Sequence, residues 1–240
     1  MWLLIVTGFA LDVDGTLTDR RGLLDIESIQ IIRWLRSTGR EVILASGRSY
    51  CITAALSIFI GASRVLIAEN GGVIGKVMEK PLLLAEKERA EAGLAALKER
   101  LGEEVRVREV HHAVRYTDIM IERSFDLKLG ESILAEKGVE ARLIDAGNDY
   151  HVLDLRADKG IALVKSAELL GSHSNNFAAI GNGLNDIEMF KVARYGVALA
   201  NSPERTKQEA DHVCALGFST GLKEAVEWVL REDSGKPQAD

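Results

Sequence analysis

Cysteine is scarce: only Cys51 and Cys214 occur among the 240 residues, far apart and without metal-ligand spacing. That excludes a disulfide framework and fits two buried thiols in a reduced cytosol. A basic excess is also lacking. The net charge is −6 and no Lys/Arg block occurs, which argues against a nucleic-acid footprint. Low-complexity stretches and internal repeats are absent. No apolar run is long enough to span a bilayer. The opening "MWLLIVTGFAL" has no Lys or Arg before it and no small-residue cleavage site after it, and runs straight into Asp12. The expectation for it is a buried parallel strand. For the chain it is a soluble, cytoplasmic protein with neither membrane nor nucleic acid as partner.

What is present is a rhythm. Hydrophobic residues make up 47% of the chain, enough for one large domain or two small ones. Asp25 can cap a helix whose apolar positions Ile29, Ile32 and Leu35 recur at helical spacing, with Gly39 as its stop. "EVILA" reads as a second buried strand, a helix through Ala54, Leu56 and Ile60 stops at Gly61, and "RVLIAE" is a third strand. This alternation is the signature of a parallel sheet.

The rhythm then breaks. "ENGG" is a hairpin signal and "VIGKV" returns as a short strand. A helix over 86–101, strands in "VRVREV" and "AVRYTDIMIE", a helix over 126–137 and strands "EARLIDA" and "YHVLDL" predict a small antiparallel α+β unit. From Asp158 the βα rhythm resumes through a helix at 159–170, "FAAIG", a helix near 186–193 and "YGVALA". "SPE" predicts a helix with Ser202 as cap and Pro203 at its first position, and "EDSGKPQAD" a disordered tail. The fold class is therefore α/β, a Rossmann-like parallel-sheet core (residues 1–79 and 155–240) with an inserted α+β unit (80–154).

Polar clusters fall where strands end, which is where open parallel sheets bind ligands. They are Asp12 with Asp14, Ser46 to Arg48, "GNGLND" from Gly181 to Asp186, and "ANS" from Ala200 to Ser202. Two carboxylates one residue apart repel on a continuous strand, so either a turn separates them or a cation joins them. Ser46 could simply cap the following helix. Lys159 sits in the first turn of a helix, where the macrodipole disfavours a cation; a set of carboxylates and a phosphate facing it would explain the placement. His111 and His112 would point to opposite faces of a strand, which makes a metal role unfavourable. His151, near the insert's return to the core, is the better candidate for substrate contact. Trp2, Trp34 and Trp228 read as packing residues.

"DVDGTLTD", "ASGR", "DKG" and "GNGLND" stand in the order of the four motifs of the haloacid dehalogenase-like phosphatases. The resemblance covers essentially the whole chain, with an α/β cap between the second and third motifs. "AENGG", "DKGIAL" and "NDIEMF" are most similar to the archaeal phosphoglycolate phosphatases and their sugar-phosphatase relatives. The resemblance implies Asp12 as nucleophile, Asp14 as acid and base, and Lys159 as charge-neutralising partner of Asp12 and the transferring group. It implies phosphate binding by Ser46, Gly47, Lys159 and Asn185. It also implies Mg²⁺ held by Asp12, the Asp14 carbonyl, Asn182 and Asp186. The implied partner is a small phosphorylated metabolite, 2-phosphoglycolate before a sugar phosphate; a homodimer is left open.

One position departs from the pattern. Asn182 stands where the family has an aspartate ligand, which makes a weakly active or inactive phosphometabolite-binding protein a competing reading. A phospho-accepting signalling receiver also uses an acidic pocket, a lysine and Mg²⁺, but DxDGT and the insert speak against it.

Overall fold

The protein, seen here as a computed structural model, is described over residues 6–147 and 149–235. Strand β1 (Gly8–Leu11) leads to helix α1 (Ile26–Ser37), β2 (Glu41–Ala45), α2 (Tyr50–Ile60) and β3 (Val65–Ala68). A turn over Glu69–Gly71 reverses the chain into β4 (Val73–Lys76) and the two-residue β5 (Leu82–Leu83). Then come α3 (Lys87–Leu101), the short α4 (Glu109–His112), β6 (Asp118–Glu122), α5 (Leu127–Glu136), β7 (Ala141–Asp145) and β8 (Asp149–Asp154). The chain finishes with α6 (Lys159–Leu169), β9 (Phe177–Gly181), α7 (Ile187–Val192), β10 (Tyr195–Ala198), α8 (Glu204–Gln208), β11 (His212–Val213) and α9 (Phe218–Gly235).

Among the described residues the strands form two sheets. The larger runs β11-β10-β9-β1-β2-β3-β4-β5 and is parallel from β11 to β3. Its strands are apolar at successive positions because both faces are covered. Phe9 and Leu11 meet Ile32, Leu35, Leu222 and Val226 on one face, while Ala10 and Ile43 meet Leu163, Met189 and Phe190 on the other. The smaller sheet, β6-β8-β7, is antiparallel and buries Ile119, Ile121, Leu143 and Val152 beneath α3 and α5. The fold is α/β, a mainly parallel core with a small α+β insert.

Several local expectations give way. β5 pairs with β4, so Leu82 and Leu83 extend the core sheet although they lie within 80–154. "VRVREV" forms only an isolated bridge, Val107 to Ile121, before turning helical at Glu109. Arg106 and Arg108 instead reach Glu122, and Arg108 also reaches Asp149, along the sheet's solvated edge. His111 and His112 therefore sit on helical backbone rather than on a strand. Of "AVRYTDIMIE", only Asp118–Glu122 is strand. Pro203, not Ser202, occupies the cap position of α8. The predicted disordered tail is helical through Gly235, and residues 236–240 lie outside the described residues, as do Trp2 and the first five positions. Trp34 is 49% exposed and Cys51 is exposed, whereas Cys214 is buried and Trp228 packs on His212.

Candidate active site

Three adjacent parallel strands end together. β1 delivers Asp12, and β2 and β9, which flank it about 4.8 Å away on either side, deliver Ser46 and Asn182. The Asp12 N–H still bonds to the Ile180 carbonyl at 3.0 Å, and then the chain turns. Asp12 is 7% exposed, whereas Asp14, beyond the strand end, faces solvent. The turn thus separates the two carboxylates without excluding a cation between their chain atoms.

Lys159 comes from the first turn of α6 and is fully buried. Its Nζ donates to Asp12 Oδ1 at 2.8 Å and to Asp186 Oδ1 at 2.7 Å. Local packing explains the aim. A Cβ on Gly160 would lie 2.3 Å from the Glu188 carbonyl oxygen, so only glycine lets α6 press against α7. Gly71, at φ +92°, passes equally close to Asp158 on the other side. Burial opposes the charge on Lys159, but Asp12 and Asp186 outweigh it and hold its pKa above the ordinary value. For Asp12, burial and then Asp186 push the carboxyl up to about 7 despite the pull of Lys159.

Asp186 is also fully committed on its other oxygen: Oδ2 accepts the N–H groups of Asn182 at 3.0 Å and Gly183 at 2.8 Å. This carboxylate shapes the loop and anchors Lys159. A cation would meet it only as a further partner.

The inner end of the Asn182 amide lies between chain oxygens. With nitrogen there, it donates to the Asp14 carbonyl at 3.0 Å, Asp12 Oδ2 at 3.2 Å and Thr16 Oγ1 at 2.9 Å. With oxygen there, Thr16 Oγ1 donates to it at 2.9 Å and three acceptor oxygens converge. Hard carboxylate, amide and backbone oxygens are the donor type that Mg²⁺ takes, so the oxygen set suits it. The residues fit the ion, with one full charge fewer than an aspartate would supply.

Ser46 is 1% exposed, and its Oγ accepts the Arg48 N–H at 3.1 Å. Arg48 grips Asp14 with two bonds, Nε to Oδ2 at 2.9 Å and Nη2 to Oδ1 at 2.5 Å. Asn185 donates to Asn70 Oδ1 at 3.0 Å, and Asn70 Nδ2 lies 3.4 Å from His151 Nδ1. His151 in turn contacts Asp118 Oδ2 at 2.6 Å, and Asp118 is held by Arg115. His151 thus joins the site's margin, buried, through the insert.

Arg48 enters the sequence analysis only as the end of the Ser46 cluster and Asn70 only within "ENGG" and "AENGG"; Arg115 and Asp118 have no role there. Arg115 and Asp118 lay in a stretch read as strand, where residues three apart face opposite ways; in the actual turn they form a buried ion pair at 2.7 Å. Elsewhere, His212, Cys214 and Glu224 bring ligand-type atoms within 4.8 Å of one another. Glu224 there accepts the N–H groups of Ala215 and Leu216, and burial, helped by Glu224, pushes the Cys214 thiol up to about 12. Packing and turn-capping account for that cluster.

A family model described as haloacid dehalogenase-like hydrolase matches residues 9–118 and 131–225. The chain belongs to the haloacid dehalogenase-like hydrolases. A phosphoglycolate phosphatase of Archaeoglobus fulgidus is 37% identical to it over 228 residues, covering 92% of this hydrolase and 95% of the relative. One from Methanococcoides burtonii is 32% identical, covering 95% and 98%. A crystal structure of a Thermoplasma acidophilum protein shares the fold with a TM-score of 0.82 at 23% identity, over 95% of this hydrolase and 98% of that chain. A haloacid dehalogenase-like hydrolase from Bacteroides thetaiotaomicron does so with a TM-score of 0.74 at 20% identity, over 93% and 99%. Within the family this hydrolase is a phosphoric monoester hydrolase. Among its described residues, no helix is long and apolar enough to cross a membrane.

Proposed function

We propose that the chain is a Mg²⁺-dependent phosphatase of a small phosphorylated metabolite, 2-phosphoglycolate, working through an aspartyl-phosphate on Asp12. The observation that carries the reading is the buried Lys159 ammonium shared by Asp12 and Asp186 at the ends of parallel strands. In that setting Asp12 is fixed for attack on phosphorus, with Lys159 offsetting charge on it and on the transferring group. Phosphoryl transfer is mostly positioning and charge stabilisation, so few groups are needed. Ser46 and the Gly47 backbone would hold phosphate oxygens, with Asn185 beside them. Asp14, freed from Arg48 and carrying a proton, would give that proton to the leaving alcohol and then take one from the hydrolytic water, a role worth roughly 10²–10⁴ in rate. Asp12, the Asp14 carbonyl and Asn182 would hold Mg²⁺, with Asp186 behind them; when bound, the ion supplies positive charge to the phosphate oxygens.

Two things favour phosphoglycolate over a sugar phosphate. The relatives carry that name at up to 37% identity. The insert also touches the loop after β2 directly, Arg115 to the Gly47 carbonyl at 3.1 Å, which favours a small substrate. Asn182 supports a second reading, a phosphometabolite binder with little turnover. Phosphate release from p-nitrophenyl phosphate with and without Mg²⁺, followed by a panel of phosphorylated metabolites, separates these. Mg²⁺-dependent release with the highest kcat/KM for 2-phosphoglycolate is expected. A higher kcat/KM for a hexose phosphate would overturn the substrate, and no release from any ester would favour the binder.

A further inference from the structure

We propose that Arg115 is a positioning residue: from the insert, it sets the Ser46 hydroxyl for phosphate through a single peptide group. The proposal rests on the reading of Ser46 as a phosphate ligand.

The Gly47–Arg48 peptide is held on both sides. Its carbonyl accepts from Arg115 Nη1 and Nη2, each at 3.1 Å. Its N–H donates to Ser46 Oγ at 3.1 Å. A hydroxyl that accepts this N–H keeps its own hydrogen free to donate elsewhere, which is the state a phosphate oxygen requires. Rotating the peptide would take the N–H from Ser46 and leave the hydroxyl without its orienting bond. Arg115 opposes that rotation from the insert, while the Asn70 and Glu69 N–H groups hold the flanking Ser46 and Arg48 carbonyls.

Arg115 is itself fixed. Its side chain is 4% exposed, and Nη1 meets both oxygens of Asp118 at 2.7 and 2.8 Å. Asp118 is fully buried and is also contacted by His151. Burial disfavours the Asp118 charge, but His151 and Arg115 prevail and hold the carboxyl below its ordinary range. The following residues are tied down as well: Glu69 accepts the N–H groups of Tyr116 and Thr117 at 3.0 and 2.8 Å. The guanidinium that grips the loop after β2 therefore has little freedom of its own. Ordering of the insert against the core and ordering of the Ser46 hydroxyl become one event.

The test is a double-mutant cycle between Arg115 and Ser46, read as the affinity for inorganic phosphate at saturating Mg²⁺ by calorimetry. Arg115→Ala should weaken phosphate about tenfold or more, as expected for losing charged hydrogen bonds. In a Ser46→Ala background the same change should cost less than about twofold, because the group it positions is gone. Equal losses in both backgrounds would mean that Arg115 acts only on structure or on phosphate at large, and would overturn the proposal. So would unaltered phosphate affinity in Arg115→Ala, or no phosphate binding by the parent protein. If Arg115→Ala does not fold, Arg115→Lys enters the same cycle, since a single ammonium cannot hold Asp118 and the carbonyl in this geometry. The same pattern is expected of it. Turnover of p-nitrophenyl phosphate by the parent protein reports separately on the phosphatase reading. A coupled cycle without turnover would sink that reading alone, and turnover with an additive cycle would sink this proposal alone.

Discussion

The core and the insert carry their polar residues in opposite ways. In the core, the candidate site stands at the ends of buried strands, placed there by topology: β1, β2 and β9 end side by side and α6 aims Lys159 among them. In the insert, Arg115, Asp118 and His151 are buried where the second unit meets the first, two of them on β-strands and Arg115 on the turn before β6. The core's site follows from where strands stop. The insert's contribution exists only through contact with another part of the chain.

Asp12 stands where the core's strand ends meet its buried cation. Asp12→Asn should lower turnover by at least a thousandfold, since it removes the proposed nucleophile. It leaves the ion pair between Lys159 and Asp186 and removes repulsion between Asp12 and Asp186, so the melting temperature should hold or rise. Steady-state rates and a thermal melt on the same sample decide it. Retention of more than a few per cent of parental turnover would exclude Asp12 as nucleophile.

Lys159→Met attacks the same cluster from the other side. It strands two buried carboxylates without their cation, and breaking a buried pair in this way costs about 3–5 kcal/mol. Chemical denaturation without Mg²⁺ measures it. The penalty should shrink as pH falls, because protonating either carboxylate removes the unpaired charge. A variant as stable as its parent at neutral pH would show that Lys159 is not what holds these acids together.

The two regions were also unequally legible in sequence. In the core, Val42 to Ala45 and Phe177 to Gly181 are apolar at every position, so strand, helix and strand could be read from residue type alone. Polar residues after strand ends marked Asp12, Ser46 and Asp186, Lys159 stood out in the first turn of a helix, and the resemblance of the four motifs then implied their roles. In the insert the same method read too much strand. Val105 and Val107 alternate with Arg106 and Arg108 closely enough to suggest one, yet only Val107 is bridged. Nothing in "RYTD" reveals that Arg115 will meet a carbonyl 68 positions earlier. A buried polar contact between distant segments leaves no period in the sequence.

Asn182 tests whether the oxygens proposed to hold Mg²⁺ are as well matched as the strand ends of the core. Asn182→Asp keeps an oxygen at the same place and adds a full negative charge. Two unit charges about 4 Å apart interact by roughly 4 kcal/mol at an effective dielectric near 20, and desolvation cancels much of that. Mg²⁺ should therefore bind tighter by roughly one to three orders of magnitude. Calorimetric titration of Mg²⁺ into freshly prepared protein, checked by mass for deamidation before Gly183, gives the answer. Equal affinities would mean that this side chain does not touch the ion.

Whether the insert is a unit of its own can be tested inside α3. Gly93 lies inside α3, and a Cβ there would come 2.7 Å from Ala141 Cβ and 3.0 Å from Val152 Cγ1 on the insert's sheet. Gly93→Ala sets two terms against each other. Overpacking a well-filled interior costs about 1–3 kcal/mol, while alanine gains up to ~1 kcal/mol in helix propensity. The net should be a loss of roughly 1 kcal/mol, borne by α3, β7 and β8. Amide hydrogen exchange should quicken there and stay unchanged in β1 and β9, which share no side-chain core with Gly93. If protection falls equally in β1 and β9, the two sheets open as one cooperative unit. The tie through Arg115 and Glu69 would then couple their stabilities, beyond orienting a loop.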